Sequence, residues 1–132
     1  MEALIIVAHG SKVKSSNDEV IEIVSQIRND INSGILVFHS FLELSEPSIF
    51  MAINKAIAEN WLNKMHSEWK PIEENCKRIK IFPYFLAARK HVQEDIPCEI
   101  KKFKKQYPEI EFILLPHIGK CNGIGNMIMS NL

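Results

Sequence analysis

A histidine followed by glycine and serine, His9-Gly10-Ser11, stands directly after the apolar run Ile5-Ile6-Val7-Ala8. A second histidine, His91, follows the apolar stretch 79–86, and Glu43 closes a third such stretch, 35–42. Neutral imidazole and carboxylate are suitable ligands for first-row divalent metals. The same groups exchange protons near neutral pH, histidine above all. Other chemistries fit less well. Enzymes that form a phosphohistidine at such a strand end carry arginine before the histidine, where this chain has Ala8. Gly10 is a single glycine and makes neither a P-loop nor a dinucleotide fingerprint. Ser11 has no G-x-S-x-G elbow around it and reads as a turn or cap residue.

The elements that must position these residues repeat one unit. Residues 3–8 form a strand suited to burial on both faces. Ser16-Asn17-Asp18-Glu19 has capping-box spacing, and Val20, Ile23, Val24, Ile27 and Ile31 follow at helical spacing. Asn32-Ser33-Gly34 predicts the helix end, with Gly34 in a left-handed turn. Strand two covers 35–42, and Ser45-Glu46-Pro47 predicts the next helix, with proline in its first turn and Ile49, Ile53 and Ile57 along one stripe. From 62 to 78 the pattern degrades around Trp69-Lys70-Pro71, which predicts a helix extension and a surface excursion. Strand three covers 79–85. Asp95 predicts a cap with Pro97 in the first turn, Ile100 and Phe103 face the core, and Lys101, Lys102, Lys104 and Lys105 form a solvated face. Strand four covers 110–115, and a short final helix carries Ile124, Ile128 and Leu132.

Strand and helix in alternation predict an α/β fold, a parallel four-stranded sheet with helices on both faces. Parallel strands bring their carboxyl ends to one edge, where sites of open α/β sheets form. That edge carries His9, Glu43, His91 and a further candidate, His117. His39 lies inside strand two and reads as packed. His66 falls in the excursion and has no claim, and Met127 and Met129 read as core or interface filler.

The 132 residues predict a single domain, 1–132, large enough for a real core. Sixteen basic residues balance sixteen acidic ones, which argues against nucleic acid or an anionic membrane as the main partner. No apolar run approaches the ~20 residues that span a bilayer. Three separated cysteines, Cys76, Cys98 and Cys121, without a CxxC pair, predict free thiols and a cytoplasmic address.

Three stretches carry a resemblance to a known family. They are Ile5-Ile6-Val7-Ala8-His9-Gly10-Ser11 with Asn17 downstream; Phe41-Leu42-Glu43-Leu44-Ser45-Glu46-Pro47-Ser48; and Pro83-Tyr84-Phe85-Leu86 through His91-Val92-Gln93-Glu94-Asp95-Ile96-Pro97. In this order they resemble the short CbiX-type sirohydrochlorin chelatases, class II enzymes of cobalamin, coenzyme F430 and siroheme synthesis. The resemblance runs from the first strand to the last helix, apart from residues 62–78. It implies a chelatase-like (flavodoxin-like) lobe that works as a homodimer and inserts cobalt or nickel into sirohydrochlorin without ATP or a permanently bound cofactor. Iron insertion for siroheme, or a carrier that binds metal or tetrapyrrole without turnover, are the alternative readings. The family's metal-handling pair matches His9 and His91. Glu43 would complete the metal shell or relay protons. Ser11, Lys12, Lys14, Arg89 and Lys90 would meet the carboxylates of the macrocycle. The chain departs from the family at Ala88-Arg89, where a glycine is usual, and in the length of the 62–78 excursion.

Overall fold

The computed structural model describes residues 2–32, 34–66, 77–87 and 90–132 of the chain, and within them the side chains of 59–66, 91 and 92 lie outside the described set. The elements run β1 (Glu2–Ala8), α1 (Lys14–Asp30), β2 (Ile35–Phe41), α2 (Ile49–His66), β3 (Arg78–Pro83), a π-helical turn (His91–Asp95), α3 (Ile96–Gln106), β4 (Glu111–Leu114), a 3₁₀ turn (Ile118–Lys120) and α4 (Ile124–Met129). The strands form one parallel sheet in the order β2-β1-β3-β4. The chain therefore leaves β1 in one direction to reach β2, then returns past it to β3. The strand order reverses between β1 and β3, and such a switch point opens a crevice beyond the carboxyl ends.

Burial follows this order. β1 is flanked on both sides, and Ile5, Ile6, Val7 and Ala8 are all buried. One face of the sheet packs Ile5, Val7, Ile79 and Ile81 against Ile49, Ala52, Ile53 and Ala56 of α2 and against Ile96, Ile100 and Phe103 of α3. The other face packs Ile6 and Val37 against Val24 of α1, with Phe82 and Tyr84 at the margin. The two faces thus take α2 and α3 on one side and α1 on the other, as right-handed crossovers in this strand order require. β3 alternates, with Ile79, Ile81 and Pro83 buried and Arg78, Lys80 and Phe82 half-buried.

Several local expectations are corrected. Helix α1 starts at Lys14, after an extended Val13, so Ser16 and Glu19 lie inside the helix and form no capping box. Tertiary contacts in the preceding loop, described below, set that start. Helix α1 ends on an extended Ile31, and Gly34 is not left-handed; its N–H instead donates to Asn32 Oδ1 at 3.3 Å. Pro47 precedes α2 rather than entering its first turn, because its carbonyl accepts the Phe41 N–H at 2.8 Å and extends the pairing of β2. Ser48 then serves the helix start, its Oγ accepting the Met51 N–H at 3.2 Å. Asp95 is not a cap: its backbone is already helical, because the π-helical turn runs straight into α3. Strand β3 ends at Pro83, two residues early, although Tyr84 still donates to the Val7 carbonyl at 2.7 Å. Trp69-Lys70-Pro71 and Cys76 lie outside the described residues.

Met127 and Met129 are not core. They are exposed, as are Ile128 and Leu132, and α4 buries no residue. The helical stripe is real, but none of its residues is buried. The lysine face of α3 is exposed as expected, and Cys98 and Cys121 are free thiols.

His39 is half-buried on β2, edge-on to Phe41 with ring centroids 5.8 Å apart. Burial, then the charges of Arg28 and Lys55, push its pKa below the usual 6.5. The unfolded chain accepts a proton at pH values where the folded one refuses it, so stability is lost as pH falls below 6.5. Urea midpoints measured from about pH 7.5 to about pH 5.5 should fall more steeply for the wild type than for His39→Gln. Equal slopes would remove His39 from the acid sensitivity.

Candidate functional site

The site starts from the backbone that β1 and β2 share. Their ladder continues past the strands: Leu42 N–H donates to the Ala8 carbonyl at 3.0 Å and Glu43 N–H to the His9 carbonyl at 3.1 Å. Two residues far apart in sequence are thereby held side by side. Their side chains meet, with His9 Nε2 3.2 Å from Glu43 Oε1. Both are about half exposed, at 51% and 48%, so the pair faces solvent and contributes geometry more than stability.

From the other side of β1, Phe85 places its ring 6.3 Å from the His9 ring at 67°, an edge contact. His9 is thus gripped by one residue after β2 and one after β3. Phe85 reads in the sequence as the last residue of a strand, and only the pairing of β1 with β3 shows that it reaches the histidine.

Gly10 turns the chain away with φ of 94°. A Cβ there would overlap the Glu43 carbonyl oxygen, so only glycine fits the space and the backbone angle together. The chain then closes a clasp: Ser11 N–H donates to Asn17 Oδ1 at 3.0 Å, and Asn17 Nδ2 donates to the Ser11 carbonyl at 2.8 Å. Ser11 Oγ accepts the Val13 N–H at 3.0 Å, a turn role that occupies its hydroxyl oxygen. This clasp overrides the expected capping box, because Asn17 is drawn back onto the loop while α1 begins ahead of it. Asn17 is the residue whose role the helical pattern conceals.

The other sequence candidates divide. Lys12, in the loop after β1, Lys14, at the start of α1, and Lys90, just before the π-helical turn, are exposed beside the site. His91 opens the π-helical turn after β3, which places its backbone on the correct edge; its side chain, and all of Arg89, lie outside the described residues. His117 follows β4, one strand further from β1, and sits before the 3₁₀ turn. Among the described residues no three His, Cys, Asp or Glu side chains are grouped to hold a metal ion. Beside Glu43, between the starts of α2 and α3, lies a cavity of about 390 Å³ whose lining includes Phe50, Asp95, Cys98 and Glu99. Glu43, Asp95 and Glu99 bring carboxylates to its lining, and Glu99 is paired with Lys102 at 3.4 Å.

The CbiX family model matches residues 3–132. The chain belongs to the CbiX family. The sirohydrochlorin cobaltochelatase of Methanocaldococcus jannaschii is 33% identical over 97 residues, 74% of this chain and 57% of that protein. The sirohydrochlorin ferrochelatase of Priestia megaterium is 29% identical over 113 residues, 86% of this chain and 36% of that protein. The chain therefore spans only between 36% and 57% of the length of these two curated relatives. Among solved structures, the sirohydrochlorin chelatase SirB of Bacillus subtilis subspecies spizizenii, in complex with cobalt, superposes with a TM-score of 0.77 at 23% identity, over 98% of this chain and 48% of SirB. A CbiX protein of Marinobacter aquaeolei VT8 superposes with a TM-score of 0.71 at 23% identity, over 99% of this chain and 93% of its own. These likenesses establish a single α/β lobe of the CbiX fold, and the expected parallel four-stranded sheet with helices on both faces is borne out.

Proposed function

We propose that this CbiX-family chain inserts a divalent metal into sirohydrochlorin without ATP, with cobalt or nickel as the metal substrate and iron as the alternative. The observation that carries the reading is the His9–Glu43 pair, held at 3.2 Å and half exposed beyond the carboxyl end of β1. Insertion releases two pyrrole protons for each divalent ion that enters the ring. A group that binds the ion loosely and also accepts protons near neutral pH meets both needs, and imidazole does so. Glu43, 3.2 Å from Nε2, helps hold the His9 ring in place. His91 is proposed as the second metal-handling residue, on the family motif and its position after β3. Lys12, Lys90 and Arg89 are proposed to meet the carboxylate arms, and Ser11 to shape the loop that presents Lys12.

A homodimer is part of the proposal. Two observations support it: SirB contains about twice the length matched here, and α4 presents Met127, Ile128 and Met129 as exposed apolar side chains. A cytoplasmic address is proposed on the free thiols of Cys98 and Cys121, and among the described residues no helix is long and apolar enough to cross a membrane.

The deciding experiment mixes purified protein with sirohydrochlorin and, separately, cobalt, nickel and anaerobic ferrous iron, and follows the visible spectrum of the macrocycle. Multiple turnovers with at least one metal are expected, with relative rates choosing among the three. Stoichiometric binding without turnover would make the chain a carrier instead. Rates no higher than the uncatalysed ones, with no binding, would end the proposal.

A further inference from the structure

The two residues that grip His9 are each followed by an exposed leucine. Leu44, next to Glu43, is 57% exposed, and Leu86, next to Phe85, is 78% exposed. Single exposed leucines are common on protein surfaces, so exposure alone decides nothing. What distinguishes these two is the backbone beneath them. Leu44 has φ of 65°, a left-handed conformation that a branched, bulky residue adopts at a cost and that glycine or asparagine would take easily. Its neighbour is fixed on both sides, the Glu43 N–H on the His9 carbonyl and the Glu43 carbonyl packed onto Gly10.

Leu86 is pinned differently. Gly119 donates its N–H to the Phe85 carbonyl at 3.1 Å, and a Cβ on Gly119 would overlap the Leu86 carbonyl. The turn after β4 thus presses on the chain at the very residue whose side chain stands out. Both leucines are apolar groups held outward on fixed backbone, one on each side of the histidine.

We propose that Leu44 and Leu86 are positioning residues, an apolar shelf flanking His9 on which the flat conjugated face of the macrocycle rests while its carboxylate arms reach the exposed lysines. The inference deepens the proposed chelatase reading and rests on it. A tetrapyrrole with charged arms has an apolar ring plane, and charge pairing alone would leave that plane free to slide. Apolar contact beside the imidazole sets the height and tilt at which the pyrrole nitrogens meet His9.

The test measures quenching of sirohydrochlorin fluorescence on binding, steady-state insertion, thermal unfolding and sedimentation for Leu44→Ser, Leu86→Ser, Leu44→Met and Leu44→Gly. Each serine variant should weaken binding of metal-free sirohydrochlorin about tenfold, the loss expected for removing one buried leucine contact, with kcat within about twofold. Leu44→Met should retain wild-type binding. Leu44→Gly should weaken binding as the serine variant does while unfolding at a higher temperature, because glycine removes the left-handed cost. That opposition of signs separates a substrate contact from a merely structural role. Unchanged binding in both serine variants overturns the shelf, as does weakened binding that tracks a lower unfolding temperature. A shift from dimer to monomer with unchanged sirohydrochlorin binding also overturns it and assigns the leucines to a second copy. If the wild type neither binds nor metallates sirohydrochlorin, the proposed function fails first. If it turns over and the variants bind as tightly, only the shelf fails.

Discussion

Gly10→Ala is expected to lower the stability of the fold by about 2–4 kcal/mol, the range of substitutions that combine a forbidden backbone angle with an atomic overlap. The first contribution is the positive φ of 94°, where a Cβ costs roughly 1–2 kcal/mol against glycine. The second is collision with the Glu43 carbonyl, which cannot be relieved by turning a side chain because the obstructing atom is backbone. Moving that carbonyl strains the Glu43 N–H bond to His9 and the side-chain pair beyond it. Urea or thermal unfolding of the variant measures the loss. Gly34→Ala is the control, since open space surrounds that position and its φ is ordinary; it should be neutral or stabilising by about 0.5 kcal/mol. Gly119→Ala should fall between them, with a backbone overlap at Leu86 but no positive φ. Equal midpoints for Gly10→Ala and Gly34→Ala would show that the turn at Gly10 yields without cost.

His9→Ala is expected to reduce metal insertion about a hundredfold or more, the contribution typical of a positioned acid–base group. Its unfolding midpoint should stay close to the wild type, because the imidazole is half exposed and outside the core. The pairing of a large kinetic loss with a small stability change is what marks a group that touches the reaction. Glu43→Gln should be milder, since a glutamine amide is still able to hydrogen-bond the His9 ring. Glu43→Leu, which leaves no acceptor, should approach His9→Ala. The checking measurement is the initial insertion rate with saturating metal beside a midpoint for each variant. A His9→Ala protein that inserts metal at the wild-type rate would move the chemistry elsewhere.

Much of this arrangement is legible in the residue pattern, for reasons that differ by element. A buried run after which polar residues appear abruptly marks β1, because a parallel strand covered on both faces is apolar throughout, and apolar runs broken by His39 and by Lys80 mark β2 and β3. The meeting of His9 with Glu43 follows once those strands are parallel, since their carboxyl ends share an edge. The order β2-β1-β3-β4 is not legible, because periodicity reports which face is buried and not which strand lies beside it. Phe85 is hidden for that reason. The caps fail for another: Ser16 and Glu19 have the right local spacing, but the Asn17–Ser11 clasp is a contact between loop and helix that spacing within the helix does not reveal. The apolar stripe of α4 reads as core because a pattern records apolar spacing and not whether the residues end up buried.

The central place of β1 has a consequence for the nascent chain. β1 pairs with β2 after one helix, but its other edge waits for β3, and Glu2 meets Arg78 across 76 residues. Closing that span is slow relative to the local unit. During synthesis, then, His9 can join Glu43 while one flank of β1 still shows unpaired N–H and C=O groups, a template for pairing with another unfinished chain. Phe85 and the His91 turn arrive together with the strand that seals this edge. Completion of the candidate site and protection from aggregation are thus the same folding event.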